Sequence, residues 1–337
     1  MKNNIAAAAL LLSLCGPVVA ESTTSEIEQI GDGNTIELHQ LPDIMGSADA
    51  RIRQEGNGNS ASLRQDGFPT ANAVIEQIGN QNQAKVEQGG TVTHQTAVIR
   101  QLGTGNIVES VQNGWDSFNT LNTTQDGVGN RIKGNQDGFY GTMSGTISQS
   151  GATNEARLNQ STSFGADMAG ITQAGADNFA EVTQHASEAS NAVMILQDGA
   201  GNEAVVNQRG ISGNNVADVI QRGDGNTALI EQKGMFNEFE SPADVFVSPS
   251  DTGNVSAVTV TGNGNDTTVI QDSGSGRDNY YFVGKNLSEV SVTGSENTVS
   301  VRQTFNAGNT LSSGGNSSVI NIVGNGNSAT VNQSFGP

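Results

Sequence analysis

Apolar and polar residues alternate with a period of two along most of the chain, in short runs separated by turns rich in Gly and Asn. Ala73 and Ile75, Ala97 and Ile99, and Val193 and Ile195 are such pairs, as are Ala84 and Val86, Ala204 and Val206, and Ala228 and Ile230. Between them stand Glu, Lys, Arg, Thr and Asn. Alternation of this kind predicts strands with one buried face. The runs are joined by segments such as Ile78-Gly79-Asn80-Gln81, whose Gly supplies a backbone conformation that other residues reach only at a cost.

The strand, turn and second strand recur as one unit, seen complete in IEQIGNQNQAKVEQ from Ile75 to Gln88. An apolar residue is followed by Gln, by Gly two residues after that Gln, by Asn five after it and by a second Gln eleven after it. The first Gln falls at Gln29, Gln54, Gln77, Gln101, Gln125, Gln149, Gln173, Gln197 and Gln221, and the same position is then taken by Val260, Val292 and Ile322. The Gly falls at Gly31, Gly56, Gly79, Gly103, Gly127, Gly151, Gly175, Gly199, Gly223, Gly262, Gly294 and Gly324. The Asn falls at Asn34, Asn59, Asn82, Asn106, Asn130, Asn154, Asn178, Asn202, Asn226, Asn265, Asn297 and Asn327. The closing Gln falls at Gln40, Gln65, Gln88, Gln112, Gln136, Gln160, Gln184, Gln208, Gln232, Gln271, Gln303 and Gln333. Twelve copies in this register point to a repeat architecture rather than to a chain of separate cores.

Stacking the copies in register predicts an all-β solenoid of about twelve strand-turn-strand rungs, with two parallel sheets facing one another. At ~4.8 Å per rung such an array runs to about 55–60 Å. Each inward Gln or Asn then lies over its counterpart and passes amide hydrogen bonds along the column, which satisfies buried polar groups without any ligand. A buried amide without a partner costs ~1–3 kcal/mol, so these positions specify register as well as stability. The reading leaves both ends of the array as open strand edges, with nothing after the last rung but Ser334-Phe335-Gly336-Pro337 to cover it.

The array is regular from 21 to 232, over nine copies, and three further copies between 233 and 337 carry insertions at 233–253, 272–285 and 304–315. These read as loops bulging from the second turn, with a contact surface for another fibre protein or a matrix component as the functional alternative. Residues 1–20 read as a secretory signal: Lys2, an apolar run from Ile5 to Leu14, Gly16-Pro17, then Val18-Val19-Ala20 before Glu21. Leu14 stands before Cys15 where lipidation needs a small residue, so cleavage after Ala20 is expected and the mature chain has no cysteine.

Composition narrows the function. Apolar residues make up 34% and aromatics 4%, with 43 glycines, too little for a thick core but enough for a thin shared one. After cleavage 14 basic side chains face 34 acidic ones, a net charge of −20 that argues against nucleic acid as a partner and delays self-association. No transmembrane segment is expected beyond the signal. His39, His94 and His185 are far apart and read as solvated side chains, so no catalytic, cofactor or metal site is expected. Calcium-binding β-rolls need a nonapeptide period with fixed Asp, which a 24-residue spacing with fixed Asn does not supply.

The pattern N-x-A-x-I-x-Q-x-G-x-x-N-x-A-x-V-x-Q, carried by NAVIEQIGNQNQAKVEQ and NVADVIQRGDGNTALIEQ, resembles the curlin repeat over about residues 23 to 333. The resemblance implies a functional amyloid subunit of a Gram-negative bacterium, secreted and assembled extracellularly into fimbrium-like cross-β fibres for biofilm matrix and adhesion. Its implied partners are further copies of itself, a nucleator and an outer-membrane secretion machinery. The chain departs from the family in having twelve copies instead of about five, and in lacking a Gly/Asn-rich segment after the signal, which leaves the export route open. The alternatives are a nucleator or minor fibre subunit, and a non-polymerising β-solenoid adhesin.

Overall fold

In each repeat the strand before the Gly turn, here called leading, and the strand after it, called trailing, have the alternating burial their sequences predict; in Thr70–Asn80, Ala71, Ala73, Ile75 and Gln77 are buried and the residues between them are exposed or half-buried. The computed structural model describes residues 10–12, 22–42, 47–67, 70–91, 94–186, 190–210, 214–233, 236–237, 254–272, 275–276, 283–284, 286–305 and 313–335. These are all-β, with twelve leading and twelve trailing strands in the repeats. The chain forms two compact units, one of residues 1–160 with 171–177 and one of residues 161–170 with 178–337.

Each unit is a two-sheet β-solenoid. In the first, the leading strands Ser22–Ile30, Ser47–Glu55, Thr70–Asn80, His94–Thr104, Phe118–Val128 and Thr142–Ala152 pair in parallel in that order. The trailing strands Thr35–Pro42, Ser60–Gly67, Gln83–Gln88, Ile107–Trp115 and Arg131–Phe139 form the facing sheet. In the second unit, leading strands run from Ser190–Ala200 to Ser317–Val323 and trailing strands from Phe179–Ala186 to Ser328–Phe335, again parallel. Template positions coincide in the register, so Gln125 lies between Gln101 and Gln149. A shift of one residue would turn every inward side chain out to solvent.

The turn explains why Gly recurs two residues after the first Gln. At all twelve of these positions φ lies between 102° and 133°. In ten of them a Cβ would also come within 1.8–2.2 Å of the carbonyl oxygen of the equivalent Gly in the next rung. Two residues further on the backbone is left-handed again, with Gly at most copies but Gln81, Thr153, Asp177 and Glu296 at φ 54–58° in the others. That second requirement is hidden in sequence because non-Gly residues meet it at a cost of about 1 kcal/mol.

The core between the sheets is one residue layer from each side, mostly Ala, Val, Ile and Leu. Where one rung departs, its neighbours compensate. Leu121 takes a column position held by Ala97 in the rung before and by Gly145 in the rung after, and its side chain fills the space left by Gly134 and Gly145, where a Cβ would lie 2.3 Å and 2.8 Å from it.

The insertions at 233–253, 272–285 and 304–315 lie mostly outside the described residues. Two short parallel pairings are seen within them, Phe236–Asn237 with Ser275–Gly276 and Val283–Gly284 with Ser313–Gly314. The insertions thus stack on one another at these points.

One expectation is corrected. The N-terminal edge is not open in both sheets, because Leu10–Leu12, within the expected signal, pairs in parallel with Ile36–Leu38. An exposed strand edge offers unpaired N–H and C=O groups to any extended apolar segment nearby, and Leu10–Leu12 is one. The leading strand Ser22–Ile30 has a partner on one side alone among the described residues, Ser47–Glu55. The rest of the expected signal lies outside the described residues. No described helix is long and apolar enough to cross a membrane.

Gly145→Ala is expected to destabilise the first unit by about 1–3 kcal/mol through overpacking, read from chemical denaturation. Adding Leu121→Ala to it should recover part of the loss, since Leu121, at 2.8 Å, is with Leu158, at 2.4 Å, one of the two side chains a new Cβ would strike.

Candidate functional site

The residues singled out by the repeat lie on the inner face, and the sheets bring them into continuous columns. In the first unit each leading Gln donates from Nε2 to the Oε1 of the next, Gln29 to Gln54 and so on to Gln77, Gln101, Gln125, Gln149 and Gln173, at 2.7–2.9 Å. The trailing Gln residues do the same from Gln40 through Gln65, Gln88, Gln112 and Gln136 to Gln160, at 2.8–3.0 Å. In the second unit the trailing column runs from Gln184 through Gln208, Gln232, Gln271 and Gln303 to Gln333. The second amide hydrogen crosses the core to a backbone carbonyl of the opposite sheet, as from Gln112 to Thr96 and from Gln101 to Gln83. A side chain with one acceptor and two donors is thereby used fully, which no aliphatic residue of the same length could do.

The turn Asn columns run with the opposite polarity. Asn82 donates from its backbone N and its Nδ2 to Oδ1 of Asn59, and Asn59 does so to Asn34. Asn106, Asn130 and Asn154 continue the column in the first unit, and Asn178, Asn202, Asn226, Asn265, Asn297 and Asn327 form it in the second. Nδ2 also reaches the carbonyl of the turn Gly one rung on, as from Asn82 to Gly103 and Asn178 to Gly199.

A further column was not assigned to the ladder from sequence, although its signal was present. Six residues before the leading position, Asn215 donates to Asn191, Asn254 to Asn215, Asn286 to Asn254 and Asn316 to Asn286. It begins at Asp167, which accepts from Asn191 at 3.0 Å while its Oδ2 is buried without a partner. Burial pushes the Asp167 carboxyl up to about 7, against the lowering effect of the two bonds from Asn191. In the first unit this position holds Gln95 and Asn119, which donate to the carbonyls of Gly89 and Asn113 and leave Oε1 and Oδ1 unpartnered. Mixed lengths do not make a ladder.

The leading column changes character in the second unit. Gln197 donates to Gln221, and Gln221, facing Val260, turns its Nε2 to the carbonyls of Glu203 and Asn226. Val260 and Val292 are fully buried and Ile322 nearly so, making this stretch aliphatic.

Outside, charge alternates over the first rungs. Arg53 bonds Glu28, Glu55 and Glu76 at 2.7–3.3 Å, and Arg100 reaches Glu76 at 3.3 Å. Such exposed pairs contribute about 0–1 kcal/mol each and mainly favour one register. His39 lies 3.0 Å from Glu37, His94 stacks on Phe118 with centroids 4.7 Å apart, and His185 is exposed. Among the described residues no cluster of three His, Cys, Asp or Glu is placed to hold a metal.

Gln112→Ala, which leaves Gln88 and Gln136 without their partners in a dry core, is expected to cost about 1–3 kcal/mol in denaturant unfolding. The pH dependence has a defined sign. The folded-state value of Asp167 is raised from 3.8 to about 7, so its contribution is full below about pH 4 and is lost as pH rises through 7. Asp167→Asn, which keeps the acceptor for Asn191, should remove that decline between pH 4 and 8.

Residues 213–240 match the family model of the curlin associated repeat. No curated protein matches the chain. The matched segment contains the copy with Gln221, Gly223, Asn226 and Gln232, so this copy is similar to a curlin associated repeat, and the Gly, Asn and closing Gln of its template recur in the other eleven.

Proposed function

We propose that this protein is a structural subunit, without catalysis, that polymerises end to end into extracellular cross-β fibres. The observation that carries the reading is the state of the last trailing strand. Ser328–Phe335 pairs with Thr298–Phe305 on one side, and its inward Val331 and Gln333 are only half buried, whereas the equivalent Val301 and Gln303 one rung earlier are fully buried. This edge has the hydrogen-bonding pattern of every internal interface and lacks only the next strand. Most proteins block such an edge with charge or Pro within the strand. Here it is a template for one more rung, and the acidity of the chain limits association elsewhere.

Secretion through the expected signal, surface display on a Gram-negative bacterium, a role in biofilm matrix and adhesion, and dependence on a nucleator and an outer-membrane secretion machinery follow from the curlin-type reading. Leu10–Leu12 covers Ile36–Leu38 before cleavage. In this reading the signal therefore also keeps half of the N-terminal edge closed.

The test is thioflavin T fluorescence with fibre diffraction on residues 21–337, with and without preformed seeds. A ~4.8 Å meridional reflection and loss of the lag on seeding are expected. The uncleaved chain, residues 1–337, should elongate more slowly. A chain that stays monomeric with strand-type circular dichroism would overturn the reading in favour of a surface adhesin.

A further inference from the structure

Aromatic residues are 4% of the chain, yet its only Trp stands with three others at one edge of the first unit. This edge is the second turn, where a trailing strand passes into the next leading strand. Trp115 and Phe139 occupy equivalent positions on neighbouring trailing strands, Phe118 opens a leading strand, and Tyr140 follows Phe139. All four are about half exposed. Large rings left in water singly are ordinary, but a group of them on one edge marks a contact surface.

The edge holds its rings in place. Backbone N–H groups of Asp116, Tyr140 and Phe118 donate to the carbonyls of Thr91, Trp115 and Gly141, each at 2.9 Å, and Asn119 Nδ2 ties the turn to the carbonyl of Asn113 at 2.8 Å. Asp116 and Tyr140 have φ of 49° and 55°, a left-handed conformation that costs a residue with a Cβ about 1–2 kcal/mol. The other non-Gly residues that adopt it among the described residues all lie in the Gly turn. Gly would suit the backbone better at both positions, so the carboxylate and the phenol ring are held there against strain.

The rings form a twisted series. Trp115 and Phe139 have centroids 6.2 Å apart and planes tilted by 50°, and Tyr140 meets Phe139 edge to face at 4.7 Å. On the same outer face, two residues back along each strand, lie Asn113 and Asp137, both exposed and paired in register. None of residues 89–96, 111–119 and 135–143 is Lys or Arg, whereas Asp116 and Asp137 are acidic. An anionic partner is disfavoured by these charges, and a second copy, with its own net charge of −19, is repelled. A neutral sugar polymer meets no such penalty. The C–H face of a pyranose ring packs on the electron-rich face of an aromatic ring, and planar amide and carboxylate groups bond its hydroxyls. Rings repeated from rung to rung at ~4.8 Å suit a partner that repeats as well, and the tilt between them suits one whose successive units turn.

We infer that this edge binds a neutral, β-linked polysaccharide, with Trp115, Phe139 and Tyr140 packing on sugar rings and Asn113 and Asp137 bonding hydroxyls. A β-linked chain is extended and presents flat faces in series, whereas an α-linked chain coils. The site lies on the flank of the stack, not at its ends. It therefore goes beyond the polymerising function proposed above and does not depend on it.

The single Trp makes the site its own reporter. The full chain, kept below the concentration at which it self-associates, is titrated with a β-1,4-linked glucose hexasaccharide while Trp115 emission is followed. A saturable blue shift with reduced quenching by acrylamide is expected. Tyr140→Gly, which removes a ring where the backbone prefers Gly, and Asp137→Ala are each expected to weaken binding about tenfold, with circular dichroism unchanged. Val74→Ala, at an exposed apolar residue on the other sheet of the same unit, should bind as the parent does. Emission that does not respond to the saccharide, or an affinity unchanged in both Tyr140→Gly and Asp137→Ala, overturns the inference. A response to tetramethylammonium in place of the saccharide would make the edge a cation site, and a shift produced by chain concentration alone would make it a contact between copies; either overturns it too. Seeded fibre growth is read separately, so each of these results leaves the polymerising function standing.

Discussion

A buried primary amide needs a partner for both its donors and its acceptor, and in a core one residue thick the partner has to come from the next rung. That requirement organises this molecule. Each inward Gln receives one bond, gives one along the column and gives one across to the facing sheet, as Gln101 does from Gln77, to Gln125 and to Gln83. Unmade bonds of this kind cost about 1–3 kcal/mol each, and slipping a strand would break a whole set together. The columns thus act chiefly against alternative registers, while the aliphatic residues between them supply most of the apolar burial.

Polarity is a consequence of the same bonds. Trailing Gln columns point their donors toward the C-terminal end, and turn Asn columns point theirs toward the N-terminal end. A stack of rungs consequently has two chemically different faces, so the addition proposed above would be directional before any specific contact is considered. The charge distribution has the same direction, with acidic residues in the first rung and none after Arg302.

Places where the columns fail are informative about their rule. Asp167 heads an Asn column and has one oxygen without a partner, held in its neutral form up to about pH 7 by burial. Gln95 and Asn119 are neighbours in the same column position of the first unit and do not bond, because side chains of different length cannot align acceptor with donor across one rung spacing. At Gln221 the column ends against Val260, and the freed Nε2 turns to backbone carbonyls nearby. An amide column can end cheaply where backbone oxygens are within reach.

Period-two alternation, the Gly of the turn and the twelve-fold template were legible in the sequence by themselves, because each reflects a local rule: a pleated strand shows one face, and a φ above 100° with a carbonyl pressed against Cα admits only Gly. Tertiary structure decided what depends on the identity of the neighbour one rung away. The Asn191 to Asn316 residues were visible at a fixed offset, but that they form a column, and that Asp167 terminates it, requires the register. The compensation among Leu121, Gly134 and Gly145 joins residues from both sheets, which no single-strand pattern encodes. The left-handed residue at Gln81, Thr153, Asp177 and Glu296 was masked because several residue types tolerate it. Pairing of Leu10–Leu12 on Ile36–Leu38 was likewise out of reach, since an apolar leader has no preference for a strand until an unpaired edge is placed beside it.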